Sequence, residues 1–149
     1  MKRIEVKLSV SVVAPLLDVV RELAGELKSN LAAHPNLEAM DEVLQRSWLE
    51  DLMASQNTDL DTLLALFDEE FFKEGAIVLD EDNAEMIIRA CAAVRLRLRA
   101  KHLGAIGEED MESGNVAVDE LPEPTRRAFI CYLFLATMQE LIIQHLDLA

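Results

Sequence analysis

Cysteine is scarce in this chain: Cys91 and Cys131 are the two present, and no Cys-x-x-Cys occurs. That excludes a disulfide scaffold and a thiolate zinc site. Glycine is scarce as well, with five residues in 149. None of them forms a phosphate-cradling P-loop, a Gly-x-Gly-x-x-Gly turn or a Gly-x-Ser-x-Gly elbow. The three histidines, His34, His102 and His145, make neither His-Glu-x-x-His nor the paired Glu-x-x-His of a di-metal bundle. Asp80-Glu81-Asp82 opens like a calcium loop but lacks the central Gly and the closing Glu. No metal, no cofactor and no catalytic residue is expected.

Basic residues are in deficit, with 14 Lys and Arg against 28 Asp and Glu and a formal net charge of -14. A surface of that sign repels phosphates, so nucleic acid is not an expected partner. Long apolar runs are missing too. The stretch from Ala128 to Met138 is interrupted by Gln139 and Glu140, short of the ~20 residues a bilayer needs, and reads as a buried helix. Met1-Lys2-Arg3 begins like a signal peptide, but Glu5 and Lys7 break the apolar segment that should follow. A cytoplasmic location, away from membranes, is expected.

What the chain does have is apolar residues, 51% of it, enough for a core within a single domain 1–149. Residues 3–12 alternate, with Ile4, Val6, Leu8, Val10 and Val12 on one side, and predict a strand wet on one face. Spacings of three and four then predict helices over about 14–31, 37–55, 59–73, 81–103 and 122–146. Pro15 suits a first helical turn, Thr58 and Asp61 have capping-box spacing, and Gly75 is a natural stop. Ala76-Ile77-Val78-Leu79 is a second short strand, expected to pair with 3–12 unless that strand pairs across a dimer. The expected fold is mainly α, about five helices packed around the last one, with a short N-terminal strand.

Charge is segregated. Residues 59–85 hold ten acidic residues and one basic, residues 86–107 five basic and no acidic, residues 108–123 seven acidic. Arg95, Arg97, Arg99 and Lys101 thus form a basic helix end, either neutralised internally by the flanking acids or open to a small anionic ligand. On the second helix, Asp51 projects into the apolar stripe; Arg95 and Arg99 border the stripe of the fourth. A charge aimed at a core needs a partner. Asp51 is therefore expected to pair with Arg95 or Arg99, with Gln139 or Glu140 nearby, as a buried clamp on helix register. Cys91 and Cys131 lie on apolar faces and read as inert small hydrophobes.

From about Trp48 to Leu146 the chain resembles an uncharacterised bacterial family of unknown function. The resemblance lies in Val78-Leu79-Asp80, Arg95-Leu96-Arg97-Leu98 and Leu135-Ala136-Thr137-Met138-Gln139-Glu140-Leu141. In that family the Arg-Leu-x-Leu segment commonly runs into Gly-Thr-Arg-Leu; here Arg99-Ala100-Lys101-His102-Leu103 follows. Its members are often encoded beside the adaptor of the Clp protease, which implies a role linked to regulated proteolysis. The expected function is a non-enzymatic interaction or regulatory module, acting as a homodimer with a protein partner. The alternatives are a small anionic-ligand-binding protein and, last, a transcriptional regulator.

Overall fold

The structure is a computed structural model that describes residues 2–146; Met1 and residues 147–149, the ends of the expected domain, lie outside the described part. It is mainly α, with the N-terminal strand β1 (Arg3–Lys7) paired antiparallel to β2 (Ala76–Asp80), Arg3 opposite Asp80 and Lys7 opposite Ala76. The alternation through residue 12 had predicted a longer strand. Instead Ser9 is the cap residue and α1 runs Val10–Leu27, because Val13, Leu16, Leu17 and Val20 follow helical spacing into the core while Val12 stays exposed. Pro15 falls inside this helix rather than in its first turn. Gly75, at φ +70°, hands its carbonyl to the Leu8 N–H at 2.7 Å; a Cβ there would sit 2.9 Å from the Leu8 oxygen, so the tight approach requires glycine.

The expected helices 37–55 and 59–73 are replaced by one long helix and one short one. α2 (Glu42–Ala65) starts where the Asp41 carboxylate accepts the Leu44 N–H at 2.9 Å and passes straight through residues 56–58. Thr58 caps nothing; its hydroxyl donates to the Ala54 carbonyl within the helix at 3.1 Å. Gln56 and Asn57 serve the end of α1. Gln56 donates to the Leu27 and Asn30 carbonyls at 2.7 and 2.9 Å and accepts the Ala32 N–H at 3.0 Å. Those carbonyls lack helical partners of their own, so α2 acts as the C-terminal cap of α1.

α3 (Glu69–Glu74) is capped by Asp68 and ends at Gly75. α4 (Ala84–His102) follows a turn in which the Asp80 carboxylate accepts the Asp82 and Asn83 N–H groups. The acidic segment after α4 contains a short helix, α5 (Glu108–Ser113), and a 3-10 turn at Val118–Glu120. α6 (Glu123–Leu146) closes the fold. The centre is α4 rather than the last helix: it packs against α1, α2 and α6. Its inward face is small, Ala90, Cys91, Ala93 and Val94, so three helices can approach it closely, whereas α6 leaves Ile130, Leu133 and Ile143 exposed.

Candidate functional site

The basic end of α4 is occupied by the protein's own acids and polar groups. Arg97 donates to Glu26 of α1 at 2.6 Å, and Lys101 reaches Glu26 at 2.6 Å and Glu22 at 3.3 Å. The Lys101 ammonium and the Arg97 guanidinium hold the Glu26 carboxyl below its ordinary pKa, and Glu26 in turn raises that of Lys101. Arg99 pairs with Glu108, the first residue of α5, at 3.4 Å. Arg95 lies over the Tyr132 ring at 4.4 Å, donates to the Tyr132 hydroxyl at 2.9 Å and to Gln139 at 2.6 Å. Gln139 completes the tie between α4 and α6 by donating to the Ile88 carbonyl at 2.9 Å. A cavity of about 290 Å³ lies beside Arg95, lined by Ala92, Leu96, Arg99 and Tyr132.

The expected clamp between α2 and α4 exists with different residues. Asp51 is exposed and makes no ion pair with Arg95 or Arg99, and Glu140 is exposed, bonded to Gln144. The buried acid of α2 is Asp59, 5% exposed, whose carboxylate takes both the Nε–H and an Nη–H of Arg89 at 3.0 Å. Asp59 raises the guanidinium pKa of Arg89. The signal was in the sequence: once Thr58 is read as helical rather than as a break, Asp59 shares a face with Gln56, Leu60 and Leu63. Asp51 is turned away because that end of α2 has nothing to be buried against.

Cys91 and Cys131 are fully buried free thiols, each pushed up to about 12 by loss of water, so neither offers a thiolate. Among the described residues no cluster of three or more His, Cys, Asp or Glu side chains is placed to hold a metal. α6 is long and apolar enough to cross a membrane, and one face of it, with Phe129, Leu135, Met138 and Ile142, packs against the rest of the fold while Ile130, Leu133 and Ile143 stay exposed.

The first half of α2 has little structural use among the described residues. Its buried residues, Asp59, Leu60 and Leu63, all lie in the second half. Continuing that stripe backwards at about 100° per residue brings Met53, Leu52 and Leu49 onto the same face, with Trp48 at its edge. There it is only partly covered: Trp48 is 49% exposed and Leu49 40%, while Leu52 and Met53 are half-buried. Leu44, 55% exposed, lies one turn before Trp48. A shallow groove lined by Glu42, Gln45, Arg46, Leu49, Glu50 and Met53 runs along this face. Among the described residues, the hydrogen bonds that tie α2 to α1 or α4 begin at Gln56 or later.

The family described as Domain of unknown function (DUF2017) matches residues 31–146. The chain belongs to it. The match takes in all of α2 to α6 and leaves β1 and α1 outside, and membership in DUF2017 carries no activity with it. No curated protein and no solved structure matches the chain.

Proposed function

We propose that this DUF2017 protein is a non-catalytic, cytoplasmic interaction module whose docking element is the first half of α2, and that its partner presents a basic amphipathic helix. The observation that carries this reading is the apolar surface of exposed Leu44, Trp48 and Leu49 beside half-buried Leu52 and Met53, on a helix whose other half is core. A face of this kind costs solubility unless it is used, and a second helix laid along it is the standard way to cover it. Charge selects the partner. Glu38, Asp41, Glu42, Glu50 and Asp51 rim the segment against Arg46 alone, in a chain of net charge -14. The cations of α4 do not compete for this role, since Arg97, Arg99 and Lys101 already hold acids of the same chain. Regulated proteolysis, implied by the family resemblance, is a setting in which such an adaptor-like module works.

Trp48 is the single tryptophan and reports directly on the face. Titration with a synthetic Leu/Lys amphipathic helix is expected to shift its emission to the blue. The same peptide with Glu for Lys, or the Leu49→Asp variant of the protein, is expected to abolish the shift. Equal responses to both peptides, or none to either, would remove the proposal.

A further inference from the structure

The sheet has two strands, and one of its edges is open. In an antiparallel ladder, residues directly opposite exchange hydrogen bonds at every second position. The Leu8 N–H bonds the opposed Gly75 carbonyl, which fixes the parity: Ile4 and Val6 face β2 with their backbone groups, and Arg3, Glu5 and Lys7 turn theirs outward. The equivalent outward groups of β2 are partly closed, because the Asn83 side chain donates to the Val78 carbonyl and accepts the Asp80 N–H. Among the described residues nothing pairs with the outward groups of Arg3, Glu5 and Lys7. A two-stranded ribbon with an unpaired edge is marginal by itself and offers a template for another strand.

We propose that β1 pairs antiparallel with β1 of a second copy of this chain, joining the two ribbons into one four-stranded sheet. The strand's own charges select the occupant and narrow the register. A two-fold axis at Glu5 would set Glu5 against its own copy and Arg3 against Lys7, which repel. An axis at Val6 sets Glu5 of each copy opposite Lys7 of the other, twice, and places the outward groups of Glu5 and Lys7 on the partner strand, with Arg3 beyond it opposite Ser9. An axis at Ile4, which would set Glu5 opposite Arg3 instead, is the register that exchanging Glu5 and Lys7 tells apart. Ile4 and Val6, which are half-buried in one copy, become central in the joined sheet. This pairing is independent of α2, and Trp48 takes no part in it.

Sedimentation equilibrium of the full chain tests it. The wild type is expected to dimerise. Glu5→Pro removes an outward N–H that β2 does not use, so it is expected to give a monomer with unchanged helical circular dichroism. Glu5→Lys alone is expected to weaken the dimer roughly tenfold or more, and the exchange Glu5→Lys with Lys7→Glu to restore it. A wild type that stays monomeric as concentration rises would overturn the proposal. So would a folded Glu5→Pro dimer, or a double variant no tighter than the single one.

Discussion

At the scale of the residue, the two members of the Asp59–Arg89 pair are unequal. Asp59 is almost wholly enclosed, while the Arg89 side chain is half in water. Removing the carboxylate frees an arginine that solvent can take back, so Asp59→Asn is expected to cost about 1–2 kcal/mol. Removing the arginine strands a buried charge, so Arg89→Met is expected to cost more, about 3 kcal/mol. Urea unfolding of both variants checks the order. Glu26 supplies a pH dependence. Its carboxyl is held low in the folded state, so its contribution is complete above the unfolded value of ~4.3 and is lost as pH falls through the lowered folded value. Glu26→Gln is therefore expected to flatten the acid limb of stability, measured as urea midpoints from about pH 6 to pH 3. The side chain is partly exposed and its partners lie near the surface, so added salt is expected to shrink the difference. Neither pair was legible residue by residue: composition showed that opposite charges are present in blocks, and only the crossing of helices decides which acid meets which base.

At the scale of the element, legibility depended on whether one period was present or two. β2, α4 and α6 stand within a few residues of where spacing, Gly75 and the charged helix ends put them. Residues 8–12 satisfy both the two-residue and the helical period, and the core settles the contest for the helix through Val13 and Leu16. Residues 56–58 look like a break because Thr58 and Asp61 have the spacing of a helix start. That signal yields here to the bonds of Gln56 and Asn57 with the end of α1, a contact no local window contains. The same contact divides α2 in two. Amide exchange is expected to be fast from Glu42 to about Ser55 and slow from Asp59 onward, since burial protects the second half alone. Uniform protection along the whole helix would contradict the division.

At the scale of the whole molecule, the core is shared across the boundary of the family match. Leu17, Val20, Leu23 and Leu27 of α1 are buried in the same cluster as Leu60, Val94, Leu98 and Ile142, and Cys131 of α6 lies against the Leu16 carbonyl at 3.8 Å. A fragment of residues 31–146 leaves that apolar surface bare and the backbone of β2 unpaired. It is expected to lose cooperative thermal unfolding and to bind a hydrophobic dye, and a sharp melt of the fragment would show that α1 and β1 are dispensable. The mainly helical class could be read from spacing alone; the central place of α4 could not, because small residues such as Ala90 and Ala93 weigh little in a hydrophobic pattern yet decide how near helices come.

The register of the ribbon, residues 3–7 against 76–80, also sets an order of events as the chain is made. The first strand leaves the ribosome long before its mate exists, and α1 emerges before α4 and α6 can shelter it. Long-range closure of this kind slows folding relative to a bundle whose neighbours are adjacent in sequence. Until Asp80 has been translated, the N-terminal segment is a bare adhesive edge in a crowded compartment, and alternating Arg3, Glu5 and Lys7 with its apolar residues keeps that interval survivable.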